Sequence, residues 1–421
     1  MKRLLLIHIV FFALAFMSCE SSPNKEIKGI NLTAAEILGN PNYQAMSFGG
    51  FREITRDSVP SVSDLKEDLK ILSAMNIKVL RTYNSQQYPH AENLIKAIHS
   101  LKQEDSEFEM YMMLGAWIDA KGAWTGEEVI HDVESLENNT VEIEATVRLA
   151  NEYPDIVKVI AVGNEAMVKW ATSYFVTPDI ILKWVTYLQD LKKEGSLPSD
   201  LWITSSDNFA SWGGGDASYH TEDLTSLFEA VDYVSVHTYP FHDTHYNSDF
   251  WLAPDEEQSL SDIEKTDLAM IRAKEYSMSQ YQAVVDYMTS LGIQKPVHIG
   301  ETGWASITNS LYGPEGSKAT DEYKQKLFYD QMREWTNSEG ISCFYFEAFD
   351  EKWKDQLNPM GSENHFGLIN LNGEAKYVLW DLVDNGIFEG LTRNGNSITK
   401  TFNGNEEEVM KTVLPPSSAS D

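Results

Sequence analysis

Cysteine is almost missing: 421 residues hold two, Cys19 and Cys343. One disulfide is the most they could form, and if Cys19 is consumed elsewhere none forms within a monomer. A thiol nucleophile or a cysteine metal centre lacks support for the same reason. Cys343, inside the apolar "SCFYFEAF", reads as a small buried residue. Positive charge is scarce too. Thirty-three Lys and Arg stand against 64 Asp and Glu, a formal net charge of −31. Such an excess repels phosphate backbones and anionic lipid, which argues against nucleic acid or a membrane surface as partner and suits a neutral one. No internal repeat, low-complexity block or Pro/Ser-rich linker divides residues 41–390, so that span reads as one domain.

Other features are plentiful. Hydrophobic residues make up 42% of the chain, enough for a large core. Eleven Trp and nineteen Tyr exceed what packing requires, and carbohydrate clefts are one use for such rings. The chain opens "MKRLLLIHIVFFALAFMSC", a short basic start and an apolar run, which is the pattern of a secretory signal. Its closing cysteine resembles a bacterial lipoprotein cleavage site, with Cys19 acylated. The expectation is a secreted protein, lipid-anchored in the bacterial cell envelope, touching the membrane only through Cys19. Residues 1–19 are then the signal, 20–40 a polar tether, and 391–421 a polar C-terminal tail that adds an edge strand or stays partly loose.

Between those ends, eight short apolar runs alternate with amphipathic stretches. The runs are 43–51, 78–83, 108–118, 156–165, 201–209, 231–240, 296–304 and 342–351. Helical patterns separate them, such as "SVSDLKEDLKILSAMN" with Ser61 or Ser63 as N-cap, and Thr177-Pro178-Asp179 opening another. Later helices are expected in "MSQYQAVVDYMTSLG" and "DEYKQKLFYDQMREWTNSEG". Strand and helix in alternation predict a parallel sheet, and a count of eight predicts an α/β fold of the (β/α)8 TIM-barrel type. Two connections, 210–225 and the acidic 241–268, read as long loops that help build a site.

Catalytic groups in such barrels sit where strands end. The fourth run ends Gly163-Asn164-Glu165, the sixth His237-Thr238-Tyr239-Pro240-Phe241, the seventh Glu301-Thr302-Gly303-Trp304, and the eighth begins its exit at Glu347. A carboxylate at the end of an apolar strand costs free energy unless it is paired, solvated or used. Two of them across one barrel mouth are what glycoside hydrolysis needs.

"VGNE", "HTYPF", "GETGW" and "FEAFDEKWK", in this order, resemble glycoside hydrolase family 17 of clan A, over about residues 45–385. The resemblance implies a retaining endo-β-1,3-glucanase that cuts laminarin-like glucan through a covalent glycosyl-enzyme. It implies Glu165 as acid/base and Glu301 as nucleophile, with neither cofactor nor catalytic metal. Asn164 matches the residue that bonds the sugar 2-hydroxyl, and Tyr239 the tyrosine beside the nucleophile. Tyr83 and Trp304 look like sugar contacts; Glu347, Glu351 and Lys354 match polar positions lining the cleft. His237 stands where plant members carry Asn and takes no role from the resemblance.

From the residues themselves, Arg81 reads as an ion-pair partner at the second strand's mouth, and Glu351 with Lys354 as a supporting ion pair. Trp117, Trp212 and Trp353 are divided between sugar platforms and core. "HDTH" at 242–245 has a possible metal spacing but a weak context. A monomer with a neutral β-glucan as partner is expected. The rival functions are a β-1,3-glucanosyltransferase, a different clan A specificity such as a β-1,4-linked glycan, and a non-catalytic surface glycan-binding lipoprotein.

Overall fold

A computed structural model describes residues 32–419. The signal-like segment, Cys19 and most of the expected tether lie outside the described residues. Eight strands form the centre: β1 (Gln44–Ser47), β2 (Ile77–Arg81), β3 (Tyr111–Ala116), β4 (Val157–Asn164), β5 (Trp202–Asn208), β6 (Val234–His237), β7 (Val297–Gly303) and β8 (Cys343–Phe346). Each pairs in parallel with the next, and β8 pairs with β1, so the sheet closes into a barrel. This is the expected (β/α)8 fold.

Helices α1 (Val62–Ala74), α2 (His90–Glu104), α3 (Leu136–Glu152), α4 (Pro178–Lys193), α5 (Glu222–Ala230), α6 (Asp262–Ser290) and α7 (Glu322–Ser338) return the chain between strands. A short α8 (Trp380–Asp384) follows β8. Ser61 caps α1 in a reciprocal box with Asp64, and Ser261 caps α6 with Glu264. Helix α6 runs 29 residues, so the 241–268 connection is not one long loop. It holds a short helix, Pro240–Tyr246, and the first turns of α6. The buried positions there are small or few, Thr266, Ala269, Met270 and Ala273, and the charges between them hid the helical period.

Side-chain alternation along the strands sorts the barrel interior into layers. The lower layer is apolar: Ala45, Val79, Tyr111, Met113, Val159, Ala161, Tyr233 and Phe344 form one buried cluster. Ala34, Ile37 and Leu38 complete it from a helical turn capped by Thr33 and Glu36. Residues 32–40 are therefore part of the domain rather than tether; the cap and the two aliphatics carry that turn. Two residues further along the strands the interior turns polar, with Arg81 above Val79 and Ser235 then His237 above Tyr233, all buried. The fold thus reserves one end of the barrel for polar chemistry.

The C-terminal tail pairs Thr399–Lys400 with Glu374–Ala375 and packs on the barrel helices. Arg393 is buried and donates from Nε to Asp68 on α1 at 2.9 Å, where Arg52 also reaches it at 2.7 Å. Thr401 donates to Glu322 on α7 at 2.6 Å. These buried bonds strap the tail across α1 and α7. Cys343 is buried, and burial pushes its thiol up to about 11, which suits a packing role.

Candidate active site

Glu301 sits near the end of β7, preceded by Gly300. A Cβ on Gly300 would meet the hydroxyls of Ser235 at 2.1 Å and Ser206 at 2.5 Å, so only glycine lets β7 pass β5 and β6 this closely. The pairing register slips between Val236/His237 and Ile299/Glu301, which turns Glu301 into the mouth. Three donors converge on its carboxylate. Arg81 of β2 forms a very short ion pair with Oε2. Tyr83 donates to the same oxygen at 2.8 Å, and Tyr239 to Oε1 at 2.6 Å. Burial pushes the Glu301 carboxyl upward more than any single neighbour pulls it down, but Arg81, His237 and the two phenols together outweigh burial and hold it at about 2. Burial and the neighbouring Glu301 charge push both phenols well above their ordinary value, so they remain donors.

Glu165 follows β4 in a left-handed conformation, φ +45°, after Gly163 at φ +80°. A non-glycine residue there costs free energy and persists only where its surroundings hold it. Here Glu165 donates its N–H to Ser206 O at 3.0 Å, and Asp207 accepts the Met167 N–H at 2.8 Å. Asp207 is fully buried; burial pushes its carboxyl up to about 6, against the hydrogen bonds from Ser211 and Met167. Among the described residues the Glu165 side chain has one hydrogen-bond partner, His237 Nδ1 at 3.1 Å. The other ring nitrogen of His237 lies 2.8 Å from Ser206 Oγ, itself 2.9 Å from Ser235 Oγ. His237 thus has a place: it links Glu165 to a buried hydroxyl chain.

Both glutamates line one cleft with a volume of about 830 Å³. Aromatic walls surround it, among them Trp170, Tyr174, Tyr239, Tyr246, Tyr312 and Phe366. Asn164 also belongs to this mouth, accepting from Arg81 Nη2 at 2.6 Å. One guanidinium therefore ties Asn164 to Glu301.

Other expected contacts fall elsewhere. Trp304 is not at the cleft: it is fully buried, donates to Ala319 O at 2.8 Å and packs on Phe241, Trp251 and Phe328. Trp304 is the first residue past β7, and its ring packs against Phe328 of α7. Tyr83 spends its hydroxyl on Glu301. Glu347, Glu351 and Lys354 form an ion-pair cluster, with Lys354 Nζ at 2.5 Å and 3.2 Å from the two carboxylates and 4.0 Å from the Phe346 ring centroid. They stand behind Phe346, which lines the cleft, rather than lining it themselves. Trp212 is core, while Trp117 and Trp353 are half-buried. His242 of "HDTH" lines the cleft from the short helix. Among the described residues no three His, Cys, Asp or Glu converge as metal ligands would. Sequence reasoning missed Trp170 and Tyr174, five and nine residues beyond Glu165 in "EAMVKWATSYF"; their closeness to the "GNE" exit was the available signal.

Comparison with known proteins extends this picture. The family model for the BtgE/BtgC glycoside hydrolase domain matches residues 45–367. A crystal structure of an endo-laminarinase from Formosa Hel1_33_131 is 63% identical, covering 93% of this chain and 99% of its own, with a TM-score of 0.91. A putative glucan endo-1,3-beta-glucosidase btgC of Aspergillus niger is 22% identical over 74% of this chain. The match spans about two fifths (39%) of that fungal relative's length. A family 17 β-1,3-glucanosyltransferase from Rhizomucor miehei shares the fold, with 18% identity, a TM-score of 0.55, and coverage of 80% of this chain and 96% of its own. With its two glutamates at the barrel mouth and the matched model spanning β1 to beyond β8, the chain belongs to the BtgE/BtgC glycoside hydrolase family.

Proposed function

We propose that this protein is a retaining endo-β-1,3-glucanase of the family 17 type, acting on laminarin-like glucan. The observation that carries the reading is the pair of carboxylates in one aromatic-walled cleft, one locked by donors and one nearly free. Glu301 is the nucleophile: held ionised, it attacks the anomeric carbon. Glu165 is the acid/base: it gives a proton to the departing sugar oxygen, then takes one from the water that cleaves the glycosyl-enzyme. Two inversions leave the configuration retained. Asn164 bonds the 2-hydroxyl of the reacting sugar, and Tyr239 holds the nucleophile. Aromatic walls suit the faces of a neutral sugar chain, as does an acidic protein that offers a polyanion nothing. The likeness to an endo-laminarinase supports the same substrate class.

The envelope address belongs to this reading. Cys19 carries the lipid, and the monomer works on glucan outside the cell. Incorporation of labelled fatty acid that disappears in Cys19→Ser tests the anchor.

The activity test is laminarin digestion followed by product size and by anomeric NMR. The expected products are shorter β-configured oligosaccharides, lost in both Glu301→Gln and Glu165→Gln. Products longer than an oligosaccharide substrate would make the enzyme a glucanosyltransferase, in which a sugar takes the place of water. Intact laminarin beside cleaved β-1,4-glycan would move the specificity. Binding without cleavage of any β-glycan would make it a glycan-binding protein.

A further inference from the structure

The hairpin after β3, Ala120–Lys121 paired with Ile130–Glu134, carries a tryptophan that the cleft does not use. Trp124 is 61% exposed, in a chain that buries most of its large rings. Single exposed apolar residues are ordinary and mean little. This one is pinned. Its indole N–H donates to Asp119 Oδ1 at 2.9 Å, and the Trp117 indole donates to the same oxygen at 2.7 Å. Its ring stacks on Tyr174 with centroids 5.1 Å apart and planes 19° apart. Its backbone sits at φ +63°, a conformation disfavoured for a bulky side chain.

The support behind it is equally fixed. Asp119 exchanges two hydrogen bonds with Asn139 of α3, at 2.9 Å and 3.1 Å. Glu142 of α3 accepts the Trp117 N–H at 3.1 Å. At the far strand of the hairpin, Glu134 accepts from Trp184 of α4 at 2.8 Å. A ring immobilised before any ligand arrives has little entropy left to lose on binding.

Position supplies the remaining argument. Tyr174, on which Trp124 rests, lines the cleft, and Trp170, 63% exposed, lines it beside Tyr174. The aromatic wall of the cleft therefore continues outward onto the hairpin. We propose that Trp124, backed by Tyr174 and Trp117, is an outlying sugar-binding platform that stacks a glucopyranose ring of a β-1,3-glucan chain running on past the cleft. The assignment rests on the glucanase reading and adds to it. It makes the hairpin a length sensor: chains long enough to reach the platform bind better than those filling the cleft alone.

The test uses the full-length protein carrying Glu165→Gln to stop turnover. Calorimetric titration with linear β-1,3-gluco-oligosaccharides of two to eight units is compared with and without Trp124→Ala. Trp124→Ala should weaken the longest oligosaccharide about tenfold more than the shortest. Trp124→Phe, which keeps a ring, should restore part of that difference. An equal effect at every length, or none at any length, overturns the platform while leaving the glucanase intact. Failure of every oligosaccharide to bind, together with intact laminarin in the unaltered protein, overturns both.

Discussion

The surroundings of Glu301 and Glu165 differ more than their shared side chain suggests. Glu301 is gripped by Arg81, Tyr83 and Tyr239 and held ionised to about pH 2. Glu165 hydrogen-bonds, among the described residues, to His237 alone and keeps 19% of its side chain open, on a strained backbone steadied from beneath by Asp207. A nucleophile, the role proposed for Glu301, needs constant charge and constant aim, which fixed donors supply. A group that gives and regains a proton each turnover needs access and few competing bonds. The barrel delivers both by drawing donors for Glu301 from β2 and the β2 and β6 exits, and giving Glu165 one partner.

Substitution of the glutamates should expose this asymmetry most strongly. Glu301→Gln should lower kcat by roughly 10⁴-fold or more on every substrate, including aryl glucosides with good leaving groups. Glu165→Gln should cost as much on glucan but spare most of kcat/KM on an activated aryl glucoside, whose departure needs no proton, while kcat there still falls because water loses its base. Rates on the two substrate types decide it; equal losses for both variants on both would erase the distinction.

Removing the grip comes next. Arg81→Met should lower kcat/KM at neutral pH on the order of 10²-fold. The sign of the pH effect follows from the opposing forces on Glu301. With Arg81 gone, burial pushes its carboxyl upward, so the acid limb of the kcat/KM profile should move to higher pH. An acid limb that stays put would show that the phenols suffice. The same pair links to stability. Glu301 titrates near its ordinary value of 4.5 when unfolded and at about 2 when folded. Its stabilising contribution is therefore complete above about pH 4.5 and drains as pH falls toward 2. Urea denaturation across that window should show a steeper loss in the unaltered protein than in Glu301→Gln.

Smaller effects should follow from single donors. Tyr239→Phe should reduce kcat about 10- to 100-fold while leaving the fold intact, read by kcat against Tm. His237→Gln should cost about tenfold in kcat/KM on glucan and less on an activated aryl glucoside, because the hydrogen bond of His237 goes to Glu165 and not to Glu301. A loss of the same size on both substrates would place His237 on the Glu301 side of the comparison.

Much of this was readable before the structure. Alternating apolar runs fixed the eight strands, and the residues leaving β4, β6 and β7 carried the glutamates and Tyr239. Arg81 was legible as an ion-pair partner, but its dual hold on Glu301 and Asn164 joins positions 83 and 220 residues away. Only barrel closure reveals such a contact. Trp304 misled because adjacency to Glu301 says nothing of side-chain direction: successive residues leaving a strand point to opposite faces. Residues 32–40 misled because polar composition was taken for solvent exposure, and the attachments of the tail were not legible for the same reason. Thr33 and Arg393 spend their polarity on a helix cap and a buried aspartate.

The bond between Arg81 and Asn164 settles a question of handedness within a single amide. A guanidinium can only give protons, so the end of Asn164 that meets it must be Oδ1, and the end turned away is the NH2. Arginine thereby sorts the two look-alike termini of this side chain and leaves Asn164 with hydrogens to offer a hydroxyl. Aspartate at this position would satisfy Arg81 at least as well and would have none to offer. In the role proposed for Asn164 the amide serves through what it presents on its far side, and the charge of a residue two strands away determines which side that is.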